Sequence, residues 1–134
     1  MTGVQLTKDS IDLGIVVRDA QTALAFYRDI LGFQHVGEMP MPGGGTMYRL
    51  MCGTSLIKVI EPTGSPAAAT SGNITDAYGY RYFTMSVSNL NDITQACADA
   101  GHKLLIGPVD IRPGITISIV QDPDGNLVEF LQTS

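Results

Sequence analysis

Four residues of types that can move or hold a proton recur at matched positions: Asp12, Lys58, Tyr82 and Glu129. Asp12 and Tyr82 stand 70 positions apart, in "SIDLGIVVRD" and "YRYFTMSVSN". Lys58 and Glu129 stand 71 apart, in "LIKVI" and "LVEFL". Brought together, two carboxylates, an ammonium and a phenol make an acid–base set. Two carboxylates alone in a hollow repel, and one is driven to hold a proton. An ammonium between them removes that conflict and is itself kept protonated. That argues against Lys58 as a free-amine nucleophile, which needs a depressed pKa. Its better role is to hold a carbonyl or enolate oxygen as charge develops there. Asp12 or Glu129 would then be the general base, and Tyr82 a hydrogen-bond donor or acid. The chemistry this set points to is proton abstraction beside a carbonyl: an epimerisation, isomerisation or elimination without metal. The alternative is a satisfied ion cluster lining a binding cavity, since buried ion pairs are often kept with no catalytic role.

The elements that must position these residues are legible in the spacing. Ile11–Val17 is a β-branched strand, Asp19 an N-cap, and Ala23, Phe26, Tyr27, Ile30 and Leu31 follow at helical spacing up to Gly32. Strands are expected near Gln34–Glu38, Thr46–Met51 and Ser55–Ile60, the last two turning around "CGTS". The second half repeats the plan. Tyr82–Val87 is a strand, Asn89 a cap, and Ile93, Ala96, Cys97 and Ala100 a buried helical stripe ending at Gly101. Strands near Lys103–Ile106, Ile115–Val120 and Leu127–Leu131 follow, with a loop through Pro108 and Pro113 and a hairpin turn at "DPDGN". The expected fold class is therefore α+β: one domain over 1–134, with tandem βαβββ modules at 8–61 and 80–134 joined by a turn-rich linker at 62–79. Neither module can bury both faces of its sheet alone, so the two should complete one core.

Strand alternation then sorts the side chains. Leu13, Ile15, Val17, Phe83, Met85 and Val87 should lie under the helices. Asp12, Gly14 and Val16, and Tyr82, Thr84 and Ser86, should face the other way. Lys58 and Glu129 are likewise opposed to their apolar neighbours. If the modules pair about a pseudo-twofold axis, Asp12, Lys58, Tyr82 and Glu129 converge, with Thr84 beside them as a substrate contact.

Other candidates are weaker. The loop "MPMPGGG" reads as a hairpin connection or as a mobile lid in which Met41 meets a ligand. Tyr48 is a candidate aromatic wall of the site, although its facing depends on register. Arg49, Arg81 and Arg112 are candidate anchors for a substrate carboxylate, against the commoner solvated role; Arg81 should face away from Tyr82. His35 lies outside the four matched positions, and His102, just past Gly101, suits an exposed or capping role. "DPDG" lacks the further acidic positions of a calcium loop and is a turn.

Bulk properties narrow the partners. A chain of 134 residues, 44% hydrophobic and 16% charged, has the composition of an ordinary globule. Net charge −5 and pI near 4.7 disfavour nucleic acid or an anionic membrane surface. No apolar run is long enough to span a membrane. "MTGVQLTKDS" lacks the features of a signal peptide, so a cytoplasmic location is expected. Cys52 and Cys97 have no metal-ligand spacing and read as reduced core residues. A small-molecule ligand remains.

The stretches "IDLGIVVRDAQTALAFYRDILGF", "LIKVIEP", "GYRYFTMSVSNL" and "DPDGNLVEF" resemble the vicinal oxygen chelate superfamily, the glyoxalase, bleomycin-resistance and extradiol dioxygenase group. The resemblance implies paired βαβββ modules curving into a cup, and a homodimer that completes or buttresses it. It also implies a divalent metal, held by residues of the first and last strand of each module, usually His, Glu or Gln. Those positions are Asp12, Lys58, Tyr82 and Glu129, of which only Glu129 keeps a customary ligand type. Protonated Lys58 offers no lone pair and would repel the ion. No cofactor is therefore expected; a divalent metal is disfavoured by Lys58. Members without metal ligands include resistance proteins that sequester a drug without chemistry, which is the alternative function. A metal-dependent glyoxalase- or dioxygenase-like enzyme with an unusual site is the third.

Overall fold

A computed structural model describes residues 2–69 and 72–134; Met1 and the linker residues Thr70 and Ser71 lie outside the described residues. The first half runs β1 (Leu13–Val16), α1 (Ala20–Leu24) with a π-helical continuation over Ala25–Ile30, β2 (Gln34–Pro40), β3 (Thr46–Cys52) and β4 (Ser55–Glu61). The second runs β5 (Tyr82–Ser86), α2 (Leu90–Asp99), β6 (Leu104–Arg112), β7 (Ile115–Gln121) and β8 (Leu127–Thr133). Each half builds a four-stranded sheet of the same order, β1-β4-β3-β2 and β5-β8-β7-β6. In each the first strand lies parallel to the last and the others are antiparallel.

The repeat extends to the hydrogen bonds that start the helices. Asp19 caps α1, its carboxylate accepting from Thr22 N–H. A second acceptor comes from the end of each sheet. Ala20 N–H donates to Glu61 Oε1 at 2.9 Å, and Leu90 N–H to Gln132 Oε1 at 2.8 Å. The two pairs occupy matching places in the halves. Asn89 is the N-cap of α2 as expected, but its side chain makes no capping bond; Gln132 does that work.

The helix-facing sides of both sheets share one core. Ile15, Val17, Leu50, Ile57 and Val59 from the first half meet Leu90, Cys97, Val120, Val128 and Phe130 from the second, with Phe26 and Tyr27 between them. Phe26 packs edge-on against His102, centroids 4.7 Å apart. The Tyr27 hydroxyl donates to Asp122 Oδ2 at 2.6 Å, across 95 residues of chain. Asp122 is only 4% exposed and also accepts from Asp124 N–H, Asn126 N–H and Asn126 Nδ2. The turn "DPDGN" is thus a hairpin turn tied to the first module's helix.

Two expectations need correction. The buried stripe of α2 is Leu90, Thr94 and Cys97, with Ile93 partly covered; Ala96 and Ala100 are exposed. Thr94 is tolerated there because its hydroxyl bonds Leu90 C=O and the Ser118 hydroxyl, each at 2.6 Å. The segment through Pro108, expected as loop, is strand: β6 continues to Arg112, with register shifts on both sides of Ile106.

Both cysteines are free, Cys97 buried and Cys52 partly so. Burial pushes the Cys97 thiol up to about 11. At pH 8 the native protein should therefore show slow labelling of Cys52 by Ellman's reagent, with Cys97 reacting only on unfolding. Equal rates for the two thiols would contradict this packing.

Candidate functional site

The sheet faces turned away from the helices carry the matched residues. On the first sheet this open face includes exposed Gly14 and Val16 and partly exposed Lys58, while Ile15, Val17, Ile57 and Val59 are buried beneath the helix. Asp12, just before β1, accepts from Lys8 Nζ at 2.6 Å and lies 3.5 Å from Lys58 Nζ. Its carboxyl pKa is lowered, first by the Lys8 hydrogen bond and, with smaller effect, by Lys58, against an opposing effect of desolvation. A carboxylate so held is a weak base.

The second sheet presents Tyr82, Thr84 and Glu129 on its open face. Thr84 Oγ1 donates to Glu129 Oε1 at 2.5 Å, so the two are in contact as neighbours in the β5–β8 register. Tyr82 is 48% exposed. Ile119 and Leu127, which pair with Glu129 and Tyr82 on the same side, are buried and give Glu129 an apolar setting. β1 and β5, the free edges of the two sheets, flank a groove of about 1060 Å³ that the linker residues Pro62 and Gly64–Ala69 also line. Asp12 and Tyr82 both line it; Lys58 and Glu129 do not.

The contacts therefore form two pairs, Asp12–Lys58 and Thr84–Glu129, with Tyr82 on the same open face as the second. No hydrogen bond or ion pair among the described residues links one pair to the other. The reason is the shared core: helix-facing sides that pack on one another turn the open faces away from it. Of the four residues expected to converge, Asp12 and Tyr82 share the groove.

The register settles the facing of Tyr48, which the sequence left open. It pairs with Val59, shares that residue's side of the sheet and packs on the core beside His35, ring centroids 6.1 Å apart. Its neighbour Arg49 pairs with Lys58 and takes the open face instead. Met41 sits in the β2–β3 hairpin, where its N–H bonds Gly45 C=O, outside the groove. Gly45 has φ +91°, and a Cβ there would lie 2.5 Å from Glu61 O. That glycine serves the turn. Arg81 donates to Asn73 and Ile74 carbonyls, a structural role, and Arg112 lies at the β6–β7 hairpin. His102 abuts Phe26, and burial lowers its pKa. Lys8 was missed by sequence reasoning, since it precedes every element; its spacing of four from Asp12 was the one signal available. As for metal donors, no three His, Cys, Asp or Glu side chains among the described residues come close enough to share an ion.

Comparison with known proteins fits this architecture. The family model for the Glyoxalase/Bleomycin resistance protein/Dioxygenase superfamily matches residues 10–130. The chain belongs to that superfamily. Virulence protein STM3117 of Salmonella typhimurium is 29% identical over 140 residues, covering 96% of this chain and 88% of that protein. A Synechocystis protein named "Probable lactoylglutathione lyase" is 29% identical over 126 residues, covering 90% and 92%. Among solved structures, a glyoxalase family protein from Bacillus cereus superposes with TM-score 0.83 at 17% identity, over 99% of this chain and 98% of that one. The trypanothione-dependent glyoxalase I of Leishmania major gives 0.68 at 21% identity, over 90% and 84%. These structural likenesses establish the fold, two modules of the superfamily's α+β type, and the family match makes this a small-molecule protein of that superfamily. No helix among the described residues is long and apolar enough to cross a membrane.

Proposed function

We propose that the protein is a metal-independent enzyme that transfers a proton at a carbon next to a carbonyl, in a cup completed by a second copy of the chain. The observation that carries this reading is Lys58. It stands on the last strand of the first module, where superfamily enzymes place a metal donor, and Asp12 lies 3.5 Å from its ammonium. A fixed positive charge there serves the purpose the metal's charge would serve, stabilising an enolate oxygen as it forms. Asp12 is held by Lys8 and Lys58, so its role is to position Lys58. Glu129 is then the general base, oriented by Thr84, and Tyr82 donates to the oxyanion. A homodimer supplies the meeting of the pairs: the open faces point away from the shared core, and Val16 and Tyr82 remain about half exposed on them.

A metal ion fits this donor set poorly. Lys58 has no free lone pair, both Asp12 oxygens face ammonium groups, and Glu129 alone is a customary ligand.

The test is deuterium wash-in followed by proton NMR, on small carbonyl compounds with an acidic α-C–H and on protein stripped with a chelator. Exchange should survive chelation and disappear in Lys58→Met. Stoichiometric zinc, nickel, manganese or iron bound through Glu129 would overturn the proposal. Tight binding without exchange would instead favour the second reading, a ligand-sequestering protein of the bleomycin-resistance type. One observation speaks for that alternative: the groove between β1 and β5 is large, about 1060 Å³.

A further inference from the structure

The open face of the first sheet has an ordered composition that the proton-transfer reading does not use. One row crosses all four strands at a single level: Gly14 on β1, Lys58 on β4, Arg49 on β3 and Gly37 on β2. Neighbouring strands lie about 4.8 Å apart, so Lys58 and Arg49 project side by side from the middle of the sheet. The row on one side is apolar: Val16, Ile60, Met47 and Met39. On the other side Leu56 and Met51 continue it.

The outer glycines are not required by the backbone. Neither Gly14 nor Gly37 has positive φ, and a Cβ on either would meet nothing within 4 Å. What a side chain would occupy at these places is the space over the row. Their absence leaves a trough with two cations at its floor and methionines along its wall.

Charge is the second observation. Arg49 has no hydrogen bond or ion pair with any described residue, and Asp12's shorter contact is to Lys8 rather than Lys58. Lys8 and Lys58 share one carboxylate, Asp12, and Arg49 stands beside Lys58 in the register, three cations to one anion in a chain whose net charge is −5. If a second copy brings its Glu129 to this face, one positive charge still remains. Such a local excess against the global sign focuses anions, and an arginine beside a lysine suits the planar oxygens of a carboxylate.

We infer that this trough seats a monoanionic carboxylic acid with an apolar body, the carboxylate on Arg49 and Lys58 and the body along the neighbouring row of Met47 and Met39. The inference rests on the proposed function in placing the ligand site on this face, and it narrows the substrate class to 2-oxo acids and related carbonyl acids. Methionine suits such a wall because it adapts to ligand shape.

Phenylpyruvate and its neutral methyl ester are suitable probes, followed by the 13C-methyl signals of labelled methionines in the full chain. The acid should shift Met47 and Met39 and bind at least about tenfold more tightly than the ester, the discrimination expected of a charge-assisted contact worth about 1.4 kcal/mol or more. Arg49→Met should bring acid and ester within about twofold, and Gly14→Val should weaken both by filling the trough. Equal affinity of acid and ester, a preference that survives Arg49→Met, or no methionine shift with the acid would each overturn the inference. Acid-selective binding with no deuterium exchange would leave it standing and defeat the proton-transfer reading. Exchange with equal binding of acid and ester would do the reverse.

Discussion

Glu129→Gln should slow deuterium wash-in by about 10²–10⁴-fold, the usual worth of a positioned general base, with little change in ligand affinity. The substitution keeps the shape of the side chain and an oxygen for Thr84 Oγ1 to donate to, so the β5–β8 register is preserved. What it removes is the negative charge that makes an oxygen basic enough to take the proton. Asp12→Asn should cost far less, about tenfold, because Asp12 acts by holding Lys58 and its loss leaves the ammonium in place. The order of the two effects is the point of the experiment. A carboxylate whose pKa is lowered by Lys8 and Lys58 is a weak base, so Asp12 should not take over when Glu129 is lost. Full exchange in Glu129→Gln, measured by the NMR assay above, would remove the base from the scheme. A larger loss in Asp12→Asn would exchange the two roles.

The facing of the key residues was legible because strand periodicity is local and needs no tertiary information. Phe83, Met85 and Val87 pack on the core as alternation requires, and Lys58 and Glu129 oppose their buried neighbours. Register was less accessible, though not hidden. The two-residue turn Gly53–Thr54 sets Cys52 against Ser55, and counting back three residues on each strand sets Arg49 against Lys58. The same count places Tyr48 on the helix side, which the sequence reading left open. What alternation cannot give is the relation between two sheets. Convergence of the four residues rests on how the modules pair, and the shared core that pairs them draws on the helix-facing sides of both. Lys8 and the capping acceptors Glu61 and Gln132 belong to the same class: their partners are fixed by tertiary packing and leave little pattern in the chain.

Of the segments that mark the superfamily most strongly, "DPDGNLVEF" carries one residue of the proposed chemistry, Glu129, and "AFYRDILGF" none. "AFYRDILGF" contributes Tyr27 and "DPDGNLVEF" contributes Asp122, and the two side chains bond each other inside the shared core. Resemblance in those stretches thus reports how the modules are joined, while Asp12, Lys58 and Tyr82 are free to depart from the customary donor types. A module junction this specific makes a strong prediction. Asp122→Ala should destabilise the protein by about 3–5 kcal/mol, since it strips a buried Tyr27 hydroxyl and three donors of the turn of their acceptor at once. Tyr27→Phe, which leaves Asp122 its other three donors, should cost about 1–3 kcal/mol. Arg18→Ala serves as a control, because its pair with Asp124 also crosses the modules but is two-thirds exposed on the arginine side; about 0–1 kcal/mol is expected. Urea unfolding with unchanged m-value would read all three. Burial, and then the charge of Asp122, raise the Tyr27 pKa well above its usual value, so the phenol keeps its proton in the folded state. The unfolded chain ionises first, near pH 10. The stabilisation is therefore present below that pH and is lost as pH rises further, so the gap between wild type and Tyr27→Phe should narrow in strong alkali and stay constant near neutrality. An Asp122→Ala loss no larger than that of Arg18→Ala would mean that the modules are held by apolar packing alone, with the motif's aspartate serving only its own turn.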